Sequence, residues 1–135
     1  MPEGPAAVRS VVAVGAGFFA IQMLTLGGDK VYRSLAPQAF DEKGFALEGQ
    51  TLLIAMVYVA FFEVVGGYIT ARFAGVKPVV HALWLGAFLL LVNGLLTVLT
   101  FGKAPLWYQL ASLALILPMT VLGGAVHRAL TGAPR

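Results

Sequence analysis

Four apolar blocks at residues 10–26, 51–70, 80–101 and 106–126 constrain this chain more than any other feature. Each reaches or approaches the ~20 residues that a helix needs to cross ~30 Å of hydrocarbon. Closed β-barrels also satisfy every backbone polar group in lipid, but they require short alternating segments, and these blocks do not alternate. Charged residues make up 11% of the chain, against about a quarter in soluble domains. That is too few to cover a water-facing surface. The expected fold is all-α: a polytopic membrane protein forming a bundle of four transmembrane helices. It reads as a single membrane domain over 1–135, with spans at 10–28, 50–73, 79–101 and 105–128 and an outer connection at 29–49.

Arg9 followed by an apolar stretch has the outline of a signal peptide, but no A-x-A-like cleavage site follows, so a retained first helix is expected. The chain has no cysteine, which excludes disulfides, thiolate metal sites and a cysteine nucleophile. Its formal net charge is +3, yet the Lys and Arg residues are spread among the connections. Nucleic acid is therefore not an expected partner, whereas basic helix ends beside anionic lipids are. With the N-terminus inside, Arg9, Arg72, Lys77, Arg128 and Arg135 fall on the inner side, and Lys30, Arg33, Lys43 and Lys103 on the outer. The short connection with Arg72 and Lys77 counts most under the positive-inside rule. Both termini are thus expected in the cytoplasm, with Trp84, Trp107 and Tyr108 as interfacial anchors.

The long first connection carries Val31, Tyr32 and Leu35 on one helical face, then Pro37, Phe40 and Phe45 among charges. It reads either as a short interfacial helix on the outer surface or as a polar loop with a few buried aromatics. As the longest stretch outside the membrane it is the natural docking surface for a partner.

Two segments echo each other. "EVVGGYITARFAG" and "TVLGGAVHRALTG" both place a glycine pair seven residues before a third glycine: Gly66, Gly67 and Gly75 against Gly123, Gly124 and Gly132. "GAGFFAIQ" and "GAFLLLVN" set Gln22 opposite Asn93. The chain can be read as two duplicated helical hairpins related by an axis along the membrane normal, or as a recurrence of small residues for packing alone. On either reading Gly66, Gly67, Gly123 and Gly124 are helix-packing positions.

Glu63 is a carboxylate inside the second block. At helical spacing around it lie Val59, Ala60, Gly66, Gly67 and Thr70, a small and polar face. Phe61, Val64, Val65 and Ile69 form the face expected to meet lipid. Glu63 should point into the bundle ~13 Å from Arg72, at 1.5 Å per residue. There, Glu63, Gln22, Asn93 and Thr120 can form an intramembrane polar cluster, beside the Ala114 carbonyl that Pro118 deprives of its usual donor. An ionised carboxylate at this depth costs several kcal/mol unless paired, and no Lys or Arg lies at matching depth. The neutral acid is expected, either as interhelical glue worth ~1 kcal/mol per hydrogen bond or as a proton- or cation-binding group.

His81 and His127 fall near the inner interface and admit a bis-His haem, though interfacial rings at headgroup level are the plainer reading, and no cofactor or metal is expected. Ser112 has no His or Asp at its depth, and Asp29 and Asp41 lack metal-ligand spacing. An enzyme is not expected.

"GGYITARFAG", "PVVHALWLGAFLLLVNGLL" and "PLWYQLASL…LGGAVHR" together resemble a loose group of small bacterial four-helix integral membrane proteins of unknown function. The resemblance implies a bacterial inner (cytoplasmic) membrane location and a four-helix bundle, and it brings no activity or site residue. Glycine-rich faces and sparse polar lining point to a structural or interaction role, as a homo-oligomer or an accessory subunit of a larger membrane complex. The alternative is a small transporter or channel component that handles protons or cations through Glu63.

Overall fold

The computed structural model describes residues 5–43 and 45–132. It contains four helices: α1 (Ala6–Leu35), α2 (Gly49–Ala74), α3 (Pro78–Leu99) and α4 (Leu106–Thr131). All four are long and apolar enough to cross a membrane. Their boundaries follow from local chemistry. α1 stops because Pro37 excludes the helical region for Ala36, whose φ is −137°. α2 and α4 both end on a glycine in the left-handed region, Gly75 (φ 72°) and Gly132 (φ 67°), which caps the last turn without a Cβ penalty. α3 opens on Pro78, whose missing N–H falls where the helix has no partner for one. Pro118 lies inside α4 without ending it. Both Pro118 and Ala114 sit on the exposed face, so the freed carbonyl belongs to the lipid-facing side and not beside Glu63.

The helices run up, down, up, down, and side chains fix the directions. The Arg9 guanidinium donates to the Ala74 carbonyl (2.9 Å), joining the start of α1 to the end of α2 and placing a cation on that helix's negative end. Ser10 near the start of α1 meets His81 near the start of α3 (2.8 Å). Around the bundle the order is α1–α2–α4–α3, with α1 and α4 on opposite corners. Close approach is carried by glycine. Gly66 faces Gly17 and Ile21 of α1, Gly67 and Gly123 abut the backbones of α4 and α2 respectively, and a Cβ on Gly124 would lie 2.6 Å from that of Ala82 in α3. A two-fold axis carrying α1–α2 onto α3–α4 would turn Gly123, the counterpart of Gly66, toward α3. It faces α2 instead, as Gly67 faces α4, so the sequence register that pairs Gly66 with Gly123 is not the one that the packing pairs.

Val64, expected on the lipid face, presents its carbonyl to Gly123, because α2 is flanked on two sides and keeps only a narrow outward strip around Phe61. The Thr70 hydroxyl donates to the Ala13 carbonyl of α1 (2.9 Å) and is fully buried. Thr70→Val is expected to cost about 0.6 kcal/mol, the mean for interhelical bonds in membranes, read from thermal unfolding in mild detergent. The apolar core is a small plug of Ile21, Leu85, Leu89 and Ile116, while side chains such as Val11, Phe19, Leu91 and Val98 point outward. A bundle that keeps small residues inside and large apolar ones outside is solvated by lipid.

The first connection departs from both sequence readings. Val31, Tyr32 and Leu35 form no separate interfacial helix but continue α1, whose 30 residues span ~45 Å at 1.5 Å per residue. Nothing between Gly28 and Pro37 breaks the helix, so its last turns stand beyond the hydrocarbon. Beyond them a 3-10 turn (Pro37–Ala39) leads to a bridge between Phe40 and Ala46. Asp41 Oδ1 accepts from the amides of Lys43 and Phe45, both at 2.9 Å. Tyr32 packs its ring against Phe40 (5.2 Å) and Tyr58 (6.1 Å), fastening the connection to α1 and α2.

Candidate functional site

Above the apolar plug, toward the end of the bundle that carries the first connection, the helices part around a cavity of about 290 Å³. Its floor holds Glu63. α2 has 26 residues and Glu63 lies near its middle, ~20 Å from the first residue at 1.5 Å per residue. From α2, Met56, Val59, Ala60 and Glu63 face the cavity at helical spacing. α3 contributes Asn93, Thr97 and Thr100, and α4 contributes Tyr108, Gln109, Ser112 and Ile116. Thr25 and Asp29 of α1 complete it. Among the described residues no lysine, arginine or histidine lines it.

Glu63 is only 6% exposed, and its Oε2 has no hydrogen-bond partner. With no cation in the cavity an ionised Glu63 would stand uncompensated, at the cost of an unpaired buried charge. At the other end of the cavity the Tyr58 hydroxyl donates to the Asp29 carboxylate. The α3 side chains are tied along their own helix: Asn93 Nδ2 donates to the Leu89 carbonyl (2.8 Å), Thr97 to Asn93 (2.8 Å) and Thr100 to Leu96 (2.7 Å). Their oxygens keep lone pairs free to accept, so this wall offers acceptors. Two carboxyls, several hydroxyls and two amides, set among a larger area of apolar side chains, thus surround a space large enough for a small guest.

Of the four residues expected to cluster, Glu63 and Asn93 share the cavity. Thr120 is fully buried one turn below, against Gly67 and Gly86, with its hydroxyl donating to the Ile116 carbonyl (2.8 Å). Gln22 is half-buried on α1, outside the cavity lining. The polar lining residues not named from sequence are Thr25, Thr97, Thr100 and Gln109, while Asp29 and Ser112 were weighed there only as metal-ligand and catalytic candidates. A signal existed, because Asn93, Thr97 and Thr100 recur at i, i+4 and i+7, and Gln109 and Ser112 at i and i+3, each a polar stripe inside an apolar span. The four glycines expected to pack helices all do so within the chain, at positions where an added Cβ would strike a neighbouring helix.

The two histidines are engaged separately. A carbonyl can only accept, so His81 Nδ1 donates to the Lys77 carbonyl (3.0 Å) and Nε2 accepts from the Ser10 hydroxyl. Both ring nitrogens are occupied, which leaves His81 without a lone pair for an iron. His127 instead sets its ring edge-on to Tyr68 of α2 (5.1 Å), with Nδ1 buried and unpartnered. Among the described residues no group of three or more His, Cys, Asp or Glu could hold a metal ion.

The four spans and the lipid-facing exterior define the class: a multi-pass membrane protein built as a four-helix bundle. No protein-family model, curated protein or solved structure matches the chain, so the resemblance to small four-helix membrane proteins extends to architecture and identifies no family.

Proposed function

We propose that this protein is a small transporter that takes protons or monovalent cations from the side of the membrane bearing the first connection, binds them at Glu63 and releases them on the other side. One observation carries the reading: a nearly buried carboxyl whose Oε2 has no partner lies at the floor of a cavity with no Lys, Arg or His among its described lining residues. A carboxyl serving only as glue would be bonded to a neighbouring helix. The glycine faces that favoured a partner subunit at the sequence level are consumed inside the bundle, and the polar residues that line the largely apolar cavity fall in two stripes that converge with Glu63. Below the carboxyl, Ile116 and the Gly67–Thr120 contact close the cavity. Release to the opposite side would require α2 and α4 to separate at that contact.

Charge supports the orientation that completes this reading. Among the described residues each end carries four basic side chains: Arg9, Arg72, Lys77 and Arg128 at the end holding the starts of α1 and α3, against Lys30, Arg33, Lys43 and Lys103 at the other. Arg72 and Lys77, however, sit at the short α2–α3 connection, where basic residues count most. With that end cytoplasmic, in a bacterial inner membrane, the cavity faces outward. In proteoliposomes carrying an internal pH dye, an acid pulse on the cavity side should acidify the lumen with the wild-type protein. With Glu63→Gln the rate should fall to that of protein-free liposomes. Equal rates for the two proteins would overturn the proposal.

A second reading, an oligomer or accessory subunit, keeps one observation in its favour: an apolar groove between α1 and α3 lined by Val11, Val14, Gly15, Trp84 and Phe88. Cross-linking in native membranes distinguishes a protein partner there from lipid.

A further inference from the structure

We propose that the guest of the Glu63 cavity is a small organic ammonium ion carrying a short hydrocarbon group, taken up in exchange for the carboxyl proton. This inference rests on the assignment of Glu63 as the binding group and names its substrate class. Three features of the cavity select that chemistry.

The first is size. About 290 Å³ is on the order of ten water volumes at ~30 Å³ each, far more than a bare metal ion fills. The second is the surroundings of the carboxyl. A hard metal cation needs about six converging oxygens, but the side chains nearest Glu63 on α2 are Met56, Val59 and Ala60, with Ile116 opposite. Hydrocarbon beside a single carboxylate suits an alkylammonium, which presents a charged head and an apolar body together. The third is the arrangement of charge. The ionisable groups facing the cavity are Asp29 from α1, Glu63 from α2 and the Tyr108 hydroxyl from α4, while α3 presents only the uncharged Asn93, Thr97 and Thr100. Asp29, already hydrogen-bonded by Tyr58, draws a cation to the outer end, and the acceptor oxygens of α3 can take hydrogen bonds from its N–H groups along the way.

The proton balance follows from burial. Empty, Glu63 is a neutral acid because nothing compensates its charge. Entry of R–NH3+ supplies that compensation: the O–H bond of the carboxyl breaks, the proton leaves to the outer solution, and a carboxylate–ammonium pair remains. One positive charge enters and one leaves, so the occupied site is as neutral as the empty one. Two bare charges in this environment would be unfavourable, whereas a hydrogen-bonded pair is tolerated. The cation and the proton are therefore alternative occupants of one carboxyl.

The test is calorimetric titration of n-hexylammonium chloride into the full-length protein in phosphatidylcholine nanodiscs, repeated in buffers of different ionisation enthalpy. The expected result is saturable binding with about one proton released per cation, tightening about tenfold per pH unit while the empty site stays protonated, and lost in Glu63→Gln. Counting protons on the wild type alone keeps the test valid if that variant folds poorly. Binding without proton release, or equal binding to Glu63→Gln, overturns the inference. The same proton release on titrating sodium chloride also overturns it, in favour of a metal cation. If hexylammonium fails to bind while Glu63-dependent proton uptake persists in liposomes, the substrate class is wrong and the proton-binding role stands; if uptake is also absent, both fall.

Discussion

Gly123→Leu is expected to part α2 from α4 and to cost about 3 kcal/mol or more, beyond the ordinary range for overpacking of side chain against side chain. The reason is what the new atoms would meet. Even a Cβ at Gly123 would press on the Val64 carbonyl and approach the Tyr68 amide nitrogen (2.7 Å) and the Gly67 carbonyl carbon (3.0 Å). Side chains can rotate away from a clash, but helix backbone cannot, so relief requires moving the whole axis of α2. That movement would also pull Thr70 from α1 and open the floor of the cavity. Gly94→Leu is the matched control, because nothing lies within 4 Å of that position; its effect should stay within about 1 kcal/mol, the size of the helix-propensity difference. Thermal unfolding in mild detergent, followed by far-ultraviolet circular dichroism, measures both. Equal stability of the two variants would refute the contact between α2 and α4 described here.

The second large effect has the opposite sign. Glu63→Met is expected to stabilise the bundle by about 1–3 kcal/mol, the usual desolvation penalty of a buried polar group left without a partner. The same substitution should abolish proton uptake. Methionine is close in volume and flexible enough to follow the same path into the cavity, so no void opens to confuse the comparison. A carboxyl acting as glue between helices predicts the reverse, with stability lost when its hydrogen bonds go. Unfolding midpoints of wild type and Glu63→Met in one detergent separate these outcomes directly. A gain in stability coupled to a loss of uptake is the pattern of a group kept for function at the expense of the fold.

Which parts of this were legible in the sequence depends on the range of the physics involved. The four spans could be read because hydrocarbon imposes length and apolarity on each helix separately. The packing roles of Gly66, Gly67, Gly123 and Gly124 were also legible, since small residues in membrane helices mark close approach. The inward aim of Glu63 followed from the small residues one turn away. By contrast, the order α1–α2–α4–α3 and the different neighbours of the two glycine pairs were not legible. Equivalent motifs can be rotated toward different partners, and nothing local fixes that rotation. The same freedom hid the cavity. Thr97 and Thr100 on α3, and Gln109 and Ser112 on α4, form stripes on their own helices, but whether two stripes face each other or face apart is decided between helices. Gln22, plausible by depth, lies on α1 away from the cavity lining for the same reason.

By itself the amino-acid sequence determined that this chain lives in a membrane as four helices and that one acid is buried among them, because the cost of placing peptide groups and charges in hydrocarbon is incurred residue by residue. Only the tertiary structure decided that the acid's Oε2 has no partner and that it stands at the bottom of a cavity. That outcome depends on how four helices are turned about their axes, which close glycine contacts across separate spans enforce and no single span encodes.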